Sequence, residues 1–537
     1  MSSECYPITL LPHISRLYAD FLASGERPQA WKAWYGKELA ADAWDGTTNE
    51  VAVAHAGELA ALLERQNLGF GAGPAALENI GLLGNGARAV VTGQQVGLLG
   101  GPLLTLLKAS TAIARARQAT VRTGHKHVPI FWLASEDHDL VEVNQVTFAG
   151  RKSLETLRLP VRGHGGEVGM LPLGPGVEPL LDQASEFLDY APICDLLREC
   201  YRPETTFAEA FGSLMARLFA AQGLVVIDAS GRDFHRLGAP ALRGAITQAA
   251  ELEESLLART ASLEAAGYHA QVLVKPGGSL LFLLDQKTGA RVPLRRAGNT
   301  WKAAGASYTT EDLLEILEET PERLSPNALL RPVFQDTLLP TAAYIGGPAE
   351  IAYFAQSEVI YRMVLGRMTP VLPRFSATLI EPAMATVMAR HELSWKDLVE
   401  SGSAEALMLR LGARAMPIEG KRRIAAAGNA MDTELTALTS YLDSVDASLG
   451  RSAVVSANKM RYQMNRLRRM AATFELQKEA SLTKHAHVLL RNLYPDGHPQ
   501  ERVLAGIGFI ARSGEGLVER LVREAGSICV GHTLVRL

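Results

Sequence analysis

Three separated stretches hold most of the side chains able to do chemistry. TGQQVGLLGGPLLTLLK (92–108) sets Gly93, Gly97, Gly100 and Gly101 ahead of Pro102, with Lys108 further along. Glycines after a strand let backbone N–H groups approach a ligand closely, and proline suits the first turn of a following helix. Yet the spacing fits neither the Walker A pattern, which needs lysine directly after the last glycine, nor GxGxxG. Gln94 and Gln95 can each donate and accept hydrogen bonds. A tight strand-to-helix turn with no ligand remains the plain alternative. SEDHD (135–139) groups Glu136, Asp137 and Asp139 around His138. Such a set could bind Mg²⁺, orient a histidine base, hold a substrate amine, or simply cap the next helix. The third stretch, 325–354, carries Asn327, Arg331, Gln335, Asp336 and Tyr344, then Gly346-Gly347-Pro348 and Glu350. Arg331 could pair with a carboxylate in bidentate fashion. LPRFSATLIE (372–381) adds Arg374 and Ser376.

These residues need a frame. Ala87–Thr92 and Val128–Ala134 read as buried strands and Thr105–Gln118 as a helix, the βαβ signature of a parallel sheet. TGQQ and SEDHD then fall at the carboxyl edge of that sheet, where ligands bind. A helix over Phe207–Ala221, a strand over Gly223–Asp228 and a helix over Ala249–Ala266 continue the pattern. Residues 1–85 read as helical, with turns near Gly25 and Gly69–Gly73. Lys152–Pro175 and Gln271–Leu294 alternate apolar and polar residues, and the Pro-Gly-Gly at 276–278 predicts a hairpin turn. A helix is expected around Glu350–Gly366, a short strand over Thr369–Leu372, and a closing strand within 526–537. From Leu435 to Phe474 apolar residues recur at spacings of three and four, interrupted at Gly450. That pattern predicts an antiparallel helical hairpin, either packed within a globular domain or projecting to pair with a second copy.

Composition narrows the function. The 537 residues are 47% apolar and 21% charged with a formal net charge of −3. Such a chain has no global field for nucleic acid or anionic membrane. The basic run Lys459, Arg461, Arg466, Arg468 and Arg469, near Tyr462, reads as a solvated helix face, with nucleic-acid binding as a minor alternative. His485, His487 and His498 lack the spacing of a metal site. Cys5, Cys194, Cys200 and Cys529 form no CxxC or metal-finger spacing, which favours a reducing cytoplasm. No secretory signal and no membrane span is expected.

Together, TGQQVGLLGGPLLTLLKASTA, VPIFWLASEDHDLVEVN, SPNALLRPVFQDTLLPTAAYIGGPAEIAYF and LPRFSATLIE resemble the BshC family, the cysteine-adding enzymes of bacillithiol biosynthesis. The resemblance extends to PHISRLYADF and the late helical hairpin. It implies an α/β fold: a Rossmann-like parallel-sheet core over 1–395 with inserted segments at about 150–175 and 270–325. A linker at 396–424, a coiled-coil hairpin at 425–495 and a return to the core at 496–537 would follow. It implies a cytoplasmic homodimer joining L-cysteine to glucosaminyl-malate through an amide, with ATP or another nucleotide activating the carboxylate and Mg²⁺ as an option. A nucleotidyltransferase without ligation is the alternative enzyme. On the ligase reading, Gly93, Gln94, Gln95 and Gly97 hold a phosphate or polar substrate groups, and Lys108 neutralises developing charge. Glu136, Asp137, His138 and Asp139 bind or deprotonate the amine, and Arg331 takes a malate carboxylate. Asn327, Gln335, Asp336 and Tyr344 meet sugar hydroxyls or the cysteine amine. Asn144, Gly346, Gly347, Glu350 and Arg374 complete the expected pocket.

Overall fold

The computed structural model describes residues 4–23, 30–35, 55–161, 165–298, 300–527 and 529–537. The expected turn at Gly25 lies outside them. The chain divides into two compact units. The first comprises Met1–Gly150, Leu154–Thr378 and Glu501–Val535; the second comprises Arg151–Ser153, Leu379–Gln500 and Arg536–Leu537.

The first unit is built on five parallel strands: β1 (Arg88–Gln94), β2 (His127–Leu133), β3 (Val225–Asp228), β4 (Thr341–Gly346) and β5 (Val371–Pro373). Their spatial order is β5-β4-β1-β2-β3. All seven residues of β2 are buried, as a strand covered on both faces requires. Between β1 and β2 runs α1 (Leu104–Thr123), longer at its C-terminal end than the expected 105–118 and closed by Gly124 at φ 74°. Ala112, Ala116 and Ala119 bring it close over Val90, Ala342, Ala343 and Ile345; small side chains permit that approach. After β3 the chain returns to place β4 and β5 on the other side of β1. The strand order therefore reverses between β1 and β4, and a crevice opens at their carboxyl ends.

Two further helices border that crevice, α2 (Arg331–Leu338) and α3 (Pro348–Leu365). The stretch read as a hairpin does form one, but its turn is displaced. Strand Gly278–Leu284 pairs with Arg291–Ala297, so the reversal lies at 285–290 rather than at Pro276-Gly277-Gly278. There Asp285 accepts bonds from Lys287 N and Thr288 Oγ1, an Asx turn that the proline-glycine signal overshadowed. In the other alternating stretch, Leu154–Arg158 pairs antiparallel with Gln145–Ala149.

Glu4–Tyr6 pairs antiparallel with His532–Arg536. Cys5 and Cys529 are disulfide-bonded, with Cα atoms 5.8 Å apart. Local spacing of the cysteines cannot show a bond spanning 524 residues of sequence. Cys194 and Cys200 are free and buried.

In the second unit, the stretch expected as a linker is helical instead, with helices at Trp395–Ser401 and Ala404–Ala415 and the start of α4 (Ile418–Val445). Ser394 and Ser403 cap the first two, a local signal that the polar composition of 396–424 obscured. α4 and α5 (Ala447–Lys478) form the antiparallel pair, with Arg461 bonded to Asp432 at 2.6 Å. The break falls at Asp446, whose side chain accepts from Ser448 N and Leu449 N, and not at Gly450, which lies inside α5. Leu435 and Ala457 are buried, whereas Leu438, Val445, Leu449, Met460, Leu467 and Phe474 are exposed. Among the described residues no helix is long and apolar enough to cross a membrane.

Candidate active site

The crevice holds an open cavity of ≈ 850 Å³, within the range of small-ligand sites. Gly93, Gln94, Gln95 and Gly97 line it after β1, Asp137 and Glu142 after β2, and Gly347, Pro348 and Glu350 after β4. Arg331 and Tyr353 come from α2 and α3, Arg374 follows β5, and Arg502 enters from the C-terminal part of the unit. The sequence reading placed Gly93, Gln94, Gln95, Gly97, Lys108, Asp137, Arg331, Gly347, Glu350 and Arg374 in a pocket, and all line this cavity.

Lys108 is the central cation. Its ammonium donates to Gly93 O (2.7 Å) and Gln94 Oε1 (3.1 Å) and lies 2.5 Å from Glu350 Oε2. Burial pulls its pKa down, opposed by the Glu350 carboxylate. Burial pushes the Glu350 pKa up, but Lys108, Tyr344 and the Gly347 N–H outweigh it and hold the carboxyl below its usual range. Tyr344 donates to Glu350 Oε1 at 2.5 Å and Gly347 N to Oε2 at 2.7 Å. Tyr344 is thus a buried support for Glu350 and not itself a wall of the cavity. Gly346 packs behind the same turn, where a Cβ would meet Glu350 and Val371 at 3.3 Å.

Gln95 bridges two acids, donating to Asp137 Oδ2 (2.7 Å) and Glu142 Oε2 (2.9 Å). The other members of SEDHD do not share this wall. Glu136 turns to the buried His235, 2.9 Å away. Asp139 caps the helix Leu140–Val143. His138 is half exposed beside Asp137 and does not line the cavity. Consecutive residues at a strand end point in different directions, so a compact motif need not be a compact site.

Four other candidates are structural. Asn144 donates to Leu159 O. Asn327 accepts from Leu329 N and Leu330 N. Gln335 bonds Asp336, and Asp336 accepts from Tyr361 at 2.5 Å, both acceptor and donor buried. None of Asn327, Gln335, Asp336 and Tyr344, expected to meet sugar hydroxyls or the cysteine amine, lines this cavity: Asn327 accepts at the start of α2, Gln335 and Asp336 are buried between α2 and α3, and Tyr344 supports Glu350.

The glycine loop also differs from a phosphate cradle. Gly97 N donates to Gln95 O, Gly100 N to Gly97 O and to the Tyr201 hydroxyl, and Gly101 N to Leu98 O. These amides are used within the fold. Anion affinity rests instead on guanidinium groups. Arg331 bonds Tyr353 at 2.5 Å and, among the described residues, has no carboxylate within ion-pair distance. Arg502 makes no side-chain hydrogen bond or ion pair among the described residues. It escaped the sequence reading because nothing local marks it; only the fold brings it to TGQQ. Among the described residues, no three or more His, Cys, Asp or Glu groups are placed to hold a metal.

Behind the wall, Arg374 donates to Glu501 Oε1 at 2.6 Å, both side chains buried. Ser376 Oγ also donates to Glu501 Oε1 (3.1 Å) and meets His532 Nδ1 (2.8 Å), and Thr378 Oγ1 meets Nε2 (2.8 Å). Since Ser376 gives its proton to Glu501, it accepts from His532 Nδ1–H, leaving Nε2 as acceptor; this fixes a neutral tautomer. Burial pulls the His532 pKa down to about 4. The unfolded chain therefore takes up a proton below about pH 6.5 that the folded unit refuses. Stability is expected to fall by about 3 kcal/mol as pH drops from about 6.5 to 4. Glu501, held below its usual range, adds a loss only as pH falls through its own lowered pKa. Hydrogen exchange across His532–Arg536 as a function of pH reads both, and His532→Gln should flatten the upper phase alone.

Residues 1–375 match the family described as "Bacillithiol biosynthesis BshC, N-terminal Rossmann-like domain", and residues 377–537 match its "C-terminal coiled-coil domain". A protein of Koribacter versatilis (strain Ellin345) is 42% identical over 546 residues, covering 100% of both chains. One of Solibacter usitatus (strain Ellin6076) is 34% identical over 537 residues, again 100% of both. One of Symbiobacterium thermophilum is 33% identical over 488 residues, 87% of each. All three carry the name "Putative cysteine ligase BshC".

Proposed function

We propose a reaction for this chain, which belongs to the BshC family of bacillithiol biosynthesis: it is a ligase that joins the carboxyl carbon of L-cysteine to the amine of glucosaminyl-malate, in the cytoplasm. The observation that carries the reading is a single cavity at the strand-order reversal lined by both carboxylates and guanidinium groups. Asp137 and Glu142, joined through Gln95, suit an ammonium group. Arg331 and Arg502, without carboxylate partners among the described residues, suit the two carboxylates of malate.

A carboxylate does not acylate an amine at neutral pH, so a nucleotide, ATP in the simplest form, would convert the cysteine carboxyl oxygen into a leaving group. Its phosphates would be held by guanidinium groups that line the cavity, since the ammonium of Lys108 and the amides of the glycine loop are engaged within the fold. The chain's own part is to hold the amine at the acidic pair, where a carboxylate can accept the proton released as the amide forms. The anionic ends are fixed at the basic groups. A second copy covering the exposed apolar seam of α4 and α5 completes the proposal, and sedimentation of the full chain reads it.

The test incubates the chain with glucosaminyl-malate, cysteine and ATP and follows products by mass spectrometry. Amide with AMP supports an adenylate, and amide with ADP an acyl phosphate. Nucleotide turnover without amide would support a nucleotidyltransferase instead. Arg331→Leu and Arg502→Leu should each raise KM for glucosaminyl-malate by about 10- to 100-fold, the worth of a hydrogen bond to a charged group. KM for cysteine should stay unchanged. An equal effect on both substrates would remove the malate assignment.

A further inference from the structure

The Cys5–Cys529 bond has no part in the proposed ligation, yet its position ties it to the cavity. Cys5 lies exposed and Cys529 is half-buried, so a small thiol can reach the bond. Cys194 and Cys200 are buried, and burial pushes the Cys200 thiol up to about 11; neither competes for exchange.

The bond joins the segment that pairs with His532–Arg536. Tyr6, next to Cys5, sits directly across from His532 in the strand register. His532 holds Ser376, Ser376 bonds Glu501, and Glu501 holds Arg374, a wall of the cavity. The same N-terminal segment continues into the helix Arg16–Leu22, whose Tyr18 is buried. Its hydroxyl is pushed up to about 12 by burial, with Arg374 and Glu501 close enough to shift it in opposite directions. A short three-residue strand and one covalent bond thus brace the side of the network that positions Arg374. Disulfides in reducing compartments are usually redox-sensing or catalytic.

We propose that Cys5–Cys529 is a thiol–disulfide exchange site through which low-molecular-weight thiols tune ligand binding in the cavity. A thiolate attacks the sulfur of the exposed residue Cys5, Cys529 leaves as a thiolate and takes a proton, and a mixed disulfide forms on Cys5. A second thiol then attacks the small-molecule sulfur of that mixed disulfide and frees Cys5. Overall two thiols are oxidised to one disulfide and the protein bond is reduced to two thiols. The freed Glu4–Tyr6 strand loosens its hold on His532 and, through Glu501, on Arg374. The proposed product is itself such a thiol, so reduction would act as feedback; that link rests on the ligase reading, whereas the exchange site does not.

The test equilibrates the full chain in buffers of graded reduced-to-oxidised glutathione. Peptide mapping should find Cys5 joined to Cys529 at the oxidised end, glutathione on Cys5 at intermediate ratios and two thiols at the reduced end. Hydrogen exchange at Glu4–Tyr6 and His532–Arg536 should quicken on reduction, and KM for glucosaminyl-malate should rise at least about fivefold. Cys5→Ser and Cys529→Ser should behave as the reduced chain at every ratio. Thiols alkylated at both positions throughout would overturn the proposal. So would a linked chain whose exchange and KM match those of Cys5→Ser. Mapping and hydrogen exchange need no turnover, so a chain that exchanges thiols but forms no amide would overturn only the ligase reading.

Discussion

Glu501→Ala is expected to destabilise the first unit by about 3–5 kcal/mol, because it leaves a buried arginine without its counter-charge. Arg374 and Glu501 have side chains only 4% and 3% exposed. The carboxylate accepts from Arg374, Ser376 and Ala377 N, and after its removal Arg374 keeps, among the described residues, only its bond to Phe375 O. The size of the loss is therefore mostly the cost of an uncompensated buried charge, not the worth of the pair. That distinction is testable. Glu501→Leu combined with Arg374→Leu should recover most of the stability that Glu501→Ala loses, since well-packed apolar groups can replace a buried ion pair at little cost. The double variant should nevertheless bind substrate poorly, because Arg374 lines the cavity. Denaturant unfolding followed by hydrogen exchange in the first unit measures the stability, and KM for the proposed substrate, glucosaminyl-malate, measures the binding. A double variant as unstable as Glu501→Ala would mean that the network stabilises by hydrogen bonding and shape and not through charge balance.

The parts of this architecture visible in the sequence are those written in local periodicity. β1, α1 and β2 announce themselves because a buried strand, a glycine-proline turn and an amphipathic helix each leave a mark within a few residues. The sheet edge then brings Gly93, Gln94, Gln95, Gly97 and Asp137 to one cavity, as the βαβ reading expects. What failed was the inference from neighbourhood in sequence to neighbourhood in space. Glu136 and Asp137 are adjacent, yet one faces His235 and the other the cavity. Gln335 and Asp336 look like ligand groups but are buried off the cavity, Gln335 donating to Asp336 and Asp336 accepting from Tyr361. Conversely Arg502 reaches the cavity from a segment without a distinctive local pattern, and Glu142 and Tyr353, though inside motif-bearing stretches, carry no mark that singles them out from their neighbours. The Cys5–Cys529 bond is the extreme case, since two ends of the chain meet only through strand pairing. Local signals were also outranked by one another: the Asx turn at Asp285 took the reversal that Pro276-Gly277-Gly278 advertised, and Asp446 took the helical break from Gly450.

Glu350→Gln should reduce kcat/KM by on the order of 10²-fold, the typical worth of one well-placed charge-stabilising group, and it should also change the pH profile. All three donors of Lys108 are committed, to Gly93 O, Gln94 Oε1 and Glu350 Oε2. The ammonium therefore ties the carboxyl end of β1 to the first turn of α3, across the point where the strand order reverses. Burial already lowers the Lys108 pKa, and Glu350 opposes that shift. Removing the negative charge while keeping the amide shape lets desolvation act alone, so Lys108 loses its proton at lower pH. Activity that depends on the charged lysine is present below the Lys108 pKa and lost as pH rises through it. The alkaline limb of kcat/KM should accordingly move to lower pH in Glu350→Gln, and Lys108→Met should remove that limb together with most of the activity. If Glu350→Gln keeps the alkaline limb in place, the lysine charge has no share in the reaction and the pair is only a brace. Tyr344→Phe separates the two roles, because it removes one bond to Glu350 and leaves both charges. A small loss with an unmoved pH profile there, beside a large loss and a shifted one in Glu350→Gln, would place the effect in the charge of Lys108 and not in the rigidity of the turn.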